Sequence, residues 1–165
     1  MAEESLSEKS EGKKPGKPLI VRFNDSIDIY ADTRLPEYDS GEVKAYRATS
    51  SDRSGFGYIA LICEPHLVPR MKAASVYPGI MNPALASLSA KGFVQWTPLN
   101  QERFVFVYKD SLGKRILKKG DQALGWRQDD VINTVVKPLI GILQDMQNKD
   151  FFHGAINPAN MFYDG

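Results

Sequence analysis

Side chains that could do chemistry are few and widely spaced in this sequence. The two histidines, His66 and His153, lie far apart and lack the spacing of metal ligands. The single cysteine, Cys63, ends an apolar segment typical of a strand, so we expect a core residue rather than a nucleophile. One cysteine excludes an intramolecular disulfide. Serine, histidine and aspartate are present, but none forms a nucleophile-elbow pattern.

Charge and composition narrow the choice of partners. The net charge of the 165 residues is +1, so we expect neither nucleic acid nor an acidic membrane as a partner. Lys114, Arg115, Lys118 and Lys119 form a small basic cluster. We interpret it as a solvated loop, the alternative being a docking site for an acidic partner or a phosphate. No signal-peptide pattern and no long apolar run is present, so we expect a cytoplasmic protein.

The C-terminal stretch places a histidine, a proline and an asparagine at a distinctive spacing. His153, Pro158 and Asn160 follow a long amphipathic segment and precede Met161-Phe162-Tyr163. This stretch resembles the catalytic loop of the protein kinase superfamily, His-Arg-Asp-Leu-Lys-Pro-x-Asn before a short apolar strand. Its Arg, Asp, Leu and Lys are replaced, in that order, by Gly154, Ala155, Ile156 and Asn157. The resemblance therefore implies a loop that keeps the framework but lacks the catalytic base, which is the aspartate.

The upstream segments extend the resemblance with the phosphate-binding parts altered. Residues 35–43 lie where kinases carry the glycine-rich loop L-G-x-G-x-x-G-x-V. Gly41 and Val43 match that pattern, whereas Pro36 and Tyr38 replace its first two glycines. Glycine lets the backbone approach phosphates closely, and proline has no N–H to donate. We therefore expect an ordinary connection between strands here.

The strand that should carry Val-Ala-Ile-Lys reads Ile59-Ala60-Leu61-Ile62, which puts Ile62 at the lysine position. A one-residue slip would put Cys63 there. The partner glutamate is missing as well, because residues 65–100 contain no Asp or Glu. The resemblance thus implies loss of both members of the ion pair that positions nucleotide phosphates. The nucleotide contacts that it still suggests fall on Gly41, Val43, Ala60 and Asn160.

The elements that carry these residues can be read from periodicity and turn signals. Alternating apolar segments predict strands, with a turn at Asn24-Asp25-Ser26. Asn82 and Pro83, with Gly92 beyond, predict a short helix over residues 83–90. The predicted strands cover residues 19–23, 27–30, 43–48, 58–63, 93–96 and 103–108.

Residues 131–146 form the longest helical pattern, with apolar residues every three or four positions. Asp129 and Asp130 suit its N-terminus electrostatically. Pro138 lies inside the pattern and predicts a kink or a break. Because the kinase large lobe that normally covers this helix is incomplete here, we expect a partner protein, the remaining large lobe or a second copy to pack on it.

These observations predict an α+β fold: a kinase-like small lobe, which is an antiparallel sheet with one inserted helix, then a long helix and a catalytic-loop-like segment. The predicted organisation is a disordered tail (1–18), a small lobe (19–108), a connector (109–128) and the start of a large lobe (129–165).

Three functional hypotheses follow. The first is a non-catalytic, pseudokinase-like module for binding, scaffolding or regulation within a longer protein or complex, with no cofactor. The second is an atypical kinase-fold transferase that binds ATP and magnesium through altered contacts. The third is an unrelated α+β interaction domain.

Overall fold

The computed structural model describes residues 17–51, 57–67, 69–110, 113–116, 126–152, 154 and 156–163. The predictions made for most of the N-terminal tail, for His153 and Ala155 and for Lys118 and Lys119 lie outside these ranges. The described strands are β1 (Ile20–Asn24), β2 (Ile27–Arg34), β3 (Lys44–Ser50), β4 (Gly57–Ile62), β5 (Leu88–Trp96), β6 (Gln101–Lys109), β7 (Lys114–Arg115) and β8 (Phe162–Tyr163).

Six of these strands form one antiparallel sheet in the order β1-β2-β3-β4-β6-β5. The α+β class with an antiparallel sheet is therefore confirmed. The first hairpin turns as predicted, because Asn24 Oδ1 accepts a hydrogen bond from the Ser26 N–H at 2.9 Å. The remaining strands, β7 and β8, pair with each other. No sequence signal had indicated β7, which lies within the predicted connector.

The sheet curls so that its two edge strands, β1 and β5, approach each other. A side chain at Gly92 of β5 would lie 3.5 Å from the ring of Phe23 in β1. The main core fills the inside of this curl. It consists of Val21, Ile27, Ile29, Ala48, Ala60, Ile62, Val94, Trp96, Val105 and Val107. Strand β6 also buries Phe104 on its other face, so it is apolar and buried on both sides.

The helix predicted over residues 83–90 is wrong. Asn82 caps a turn instead of a helix, with its Oδ1 accepting from the Ala84 N–H at 2.9 Å. The chain then enters β5, because pairing with β6 satisfies its backbone better than a short helix ending at Gly92. The helix between β4 and β5 is α1 (Met71–Val76), which fits between Pro69 and Pro78.

The long helix consists of three consecutive segments: α2 (Gln128–Val131), a π-helical turn (Ile132–Val136) and α3 (Lys137–Gln147). Asp129 and Asp130 lie in its first turn, and the Arg127 N–H donates to Asp130 Oδ2 at 3.3 Å. A kink or a break was predicted at Pro138, and the break does not occur, because the helical segments are consecutive through this residue. The wider π turn just before Pro138 accommodates the proline ring and its missing N–H, so the helix continues.

Among the described residues, no helix is long and apolar enough to cross a membrane.

Candidate functional site

The main concave site is a cavity of about 570 Å³ between the long helix, the segment after α1 and the C-terminal loop. One wall comes from helix residues four positions apart, which share a face. The second wall is the segment 83–87, and the third comes from residues 156–163. The helix contributes Thr134, Val135, Pro138, Leu139, Ile142 and Met146.

Two contacts position the segment 83–87 against the helix and α1. Asn82 Nδ2 donates to Asp145 Oδ2 at 2.6 Å, and a Cβ at Gly141 would lie 3.8 Å from the same Nδ2 atom, which is an ordinary van der Waals contact. The Tyr77 hydroxyl donates to the Ala86 carbonyl oxygen at 2.7 Å. These bonds hold the second wall in place without adding charge to the cavity lining.

The third wall is a tight turn of the catalytic-loop-like stretch. Asn157 caps a 3-10 turn (Pro158–Asn160), and its Oδ1 accepts from the Ala159 N–H at 3.0 Å. Pro158 takes the first helical position, where its missing N–H costs no hydrogen bond. The turn leads into β8, where the Ile116 N–H donates to the Met161 carbonyl at 2.9 Å. The predicted short strand after the loop is thereby confirmed over Phe162–Tyr163.

Of the four residues suggested as nucleotide contacts, Asn160 alone lines the cavity. Ala60 is fully buried inside the curled sheet, with 0% exposure. Gly41 and Val43 lie in the connection between β2 and β3, where Ser40 and Val43 form an isolated bridge. Gly41 has a φ of 57°, which glycine adopts without strain. The structure therefore does not bring these four residues together around one cavity.

The connection between β2 and β3 is held in place by Tyr38. Its hydroxyl donates to the Gly113 carbonyl at 3.0 Å, and its ring centroid lies 5.6 Å from that of Phe162. The Arg115 guanidinium covers Phe162 at 5.4 Å and donates to the Asp39 carbonyl at 2.9 Å. Burial, with Asp110 and Glu37 nearby, raises the pKa of Tyr38. No pattern in the sequence predicted that these residues would meet.

The cavity lining is uncharged. It contains no Asp, Glu, Lys, Arg or His among the residues that the structure describes. A triphosphate with magnesium needs cationic side chains and carboxylate ligands, so this lining does not fit one. Within the described ranges, no three His, Cys, Asp or Glu side chains are grouped to hold a metal ion.

Tyr77 and Tyr108 belong to a second, smaller hollow beneath α1, together with Phe106 and Phe151. Burial raises the pKa of Tyr77 and, with a smaller effect from Cys63, raises the pKa of Tyr108 to about 12. Cys63 is 4% exposed, which confirms it as a core residue, and burial raises its thiol pKa. None of these groups is poised to ionise near neutral pH.

Tyr108 gives a prediction about stability at alkaline pH. Because its pKa is raised from about 10 when unfolded, its contribution is complete below pH of about 10. It is then lost as the pH rises to about 12, at up to about 1.4 kcal/mol per pH unit. We expect Tyr108→Phe to flatten the fall of the urea midpoint over this range. Parallel profiles for the variant and the unaltered protein would contradict the shift.

No model of a known protein family matches the sequence, and a search of curated proteins finds no similar one.

Proposed function

We propose that this chain is a non-catalytic, kinase-like module that acts by binding another protein. The observation that carries the binding role is a strip of exposed large apolar side chains along the long helix. Each of these residues keeps between 37% and 50% of its surface exposed. The strip consists of Val131, Ile132, Val136, Ile140 and Leu143.

The strip is separate from the helix face that packs against the protein. Met146 is 2% exposed, and Leu139 and Ile142 are half-buried along the cavity. The helix is therefore apolar over two adjacent faces, of which one is covered by the described residues. A helix apolar on most sides is typical of a protein interior, so the strip favours a covering surface from another protein or a further lobe.

Two features of the fold support the kinase-like part of the proposal. One antiparallel sheet carries a helix inserted between β4 and β5, as expected for a small lobe. The long helix and the Pro158–Asn160 turn follow in the order of a large lobe. The non-catalytic part is supported by Tyr38, whose hydrogen bond to Gly113 fixes the connection that in a kinase covers the phosphates.

The non-catalytic part of the proposal rests on two substituted positions. Ile62, at the lysine position, is 2% exposed inside the core. Helix α1 (Met71–Val76) contains no acidic residue that could act as the partner of the lysine. Neither member of the phosphate-positioning ion pair therefore has a replacement at its expected place.

A thermal-shift titration with ATP and either magnesium or manganese tests the non-catalytic part. We expect no shift of the melting temperature at millimolar nucleotide. The test is sensitive, because a ligand at a hundred times its Kd would add about 2.7 kcal/mol of stability. A metal-dependent shift, followed by transfer of labelled phosphate, would instead establish the transferase hypothesis.

The binding part is tested on the same protein by sedimentation velocity. We expect the exposed strip to drive concentration-dependent self-association in the absence of a natural partner. Ile140→Asp should reduce it, whereas Asn148→Asp, at the exposed C-cap of the same helix and beyond the strip, should not. A protein that stays monomeric at all concentrations, or equal effects of the two variants, would count against the strip as a binding surface.

A further inference from the structure

The cavity beside the long helix is separate from the exposed strip that is proposed to bind a protein. Its volume of about 570 Å³ lies within the range of about 300–1,000 Å³ typical of small-molecule sites. Its lining residues on the helix differ from the five residues of the strip. A ligand could thus occupy the cavity while the strip is covered.

The walls of the cavity are predominantly apolar. Pro83, Ala84, Leu85 and Ala86 face it from the segment after α1, and the helix residues face it from the other side. An unfilled apolar cavity forfeits the dispersion contacts of its lining atoms. A ligand with complementary apolar surface restores those contacts and removes the same surface from water.

Uncharged polar side chains occur at two places in the lining. Asn157 and Asn160 lie on the 3-10 turn, and Thr134 lies on the helix. Amide and hydroxyl side chains can both donate and accept hydrogen bonds without carrying charge. They would orient a neutral polar group, whereas an ionised group would be desolvated without a counter-charge.

We propose that this cavity binds an uncharged, largely apolar small molecule that carries one or two hydrogen-bonding groups. Its apolar part packs between Leu85 and Leu139, and its polar group meets the Asn157–Asn160 turn. The site is distinct from a nucleotide site of the kinase pattern, because neither Ala60 nor Val43 lines it.

Two fluorescent dyes with the same aromatic skeleton test the proposal on the whole chain. N-phenylnaphthylamine is uncharged, and anilinonaphthalenesulfonate adds one sulfonate to it. We expect the neutral dye to bind saturably with one dye per chain, and the sulfonate to bind at least tenfold more weakly. Absence of saturable binding of the neutral dye, or equal affinity for both dyes, would overturn the proposal.

Substitutions at two adjacent valines of the π turn test where the dye binds. Val135 lines the cavity, whereas Val136 is 40% exposed in the strip. Val135→Asp should weaken the neutral dye at least tenfold by placing a charge in the lining, and Val136→Asp should leave its affinity within twofold. The reverse order would assign the dye to the strip and overturn the proposal.

Leu139→Phe keeps the test decisive if Val135→Asp does not fold. The larger ring adds volume inside the cavity without adding charge. We expect loss of dye binding with a melting temperature that is unchanged or raised. Dye binding as tight as in the unaltered protein would show that the cavity is not the site.

Discussion

Replacing Trp96 with alanine is expected to lower the free energy of unfolding by about 3–5 kcal/mol. The Trp96 side chain is 3% exposed inside the curled sheet, and its ring centroid lies 4.9 Å from that of Tyr46. It is the last residue of β5 and packs across the curl against β3. Its removal therefore leaves a cavity where the edge strand meets the rest of the core. Urea denaturation followed by circular dichroism measures the change.

Phe93→Ala provides the matched control on the same strand. Phe93 is 53% exposed and makes an edge contact with Phe104 at 5.0 Å. We expect this substitution to cost about 1–1.5 kcal/mol, mainly through the lost aromatic pair. If Phe93→Ala destabilised the protein as much as Trp96→Ala, the core would not lie where the structure places it.

The second large effect is expected at a buried ion pair. The Arg103 side chain is 7% exposed, and its Nη1 donates to Glu64 Oε2 at 2.7 Å. Glu64→Ala should cost about 3 kcal/mol, because it leaves a buried guanidinium with Gln101 as its remaining described side-chain partner. Glu64 is itself 32% exposed, which places the effect at the low end of the range for buried pairs.

Arg103→Met should cost less than Glu64→Ala, because it removes the buried charge and leaves the more exposed carboxylate to water. The double variant should be at least as stable as Glu64→Ala alone. A double-mutant cycle in urea measures both comparisons. Simple additivity of the two single effects would show that the pair does not interact energetically.

The sheet could be predicted because its signals are local. Alternating apolar residues and the Asn24 turn mark the first hairpin, and the valines and aromatic residues of β6 mark a strand buried on both faces. The helix predicted over residues 83–90 was wrong for the same reason, because it also rested on local signals. Asn82 and Pro83 form a good local helix start, but pairing of β5 with β6 is a tertiary effect that outweighs it.

The candidate site could be predicted only in part. Asn160, which the kinase resemblance suggested as a nucleotide contact, lines the cavity, but its role as a nucleotide contact stays a prediction. The other walls come from segments separated by dozens of residues. The periodicity of apolar residues predicts each element but not how distant segments pack together. Pro138 signalled an irregularity in the helix, but whether a proline causes a break or a π turn depends on what the helix packs against.

The hydrogen bond that holds Tyr38 in place has a consequence for the order in which parts of the chain fold. This bond to Gly113 joins residues 75 positions apart, and the bond between Arg115 and Asp39 spans 76. Contacts that close such long loops form late, because the entropy of the intervening chain must be lost first. The hairpins of the sheet can form early from local contacts, but the connection between β2 and β3 reaches its final position only when β8 arrives at the other end of the chain. The connection between two strands of the N-terminal sheet is thus fixed by residues at β7 and β8, which lie outside that sheet.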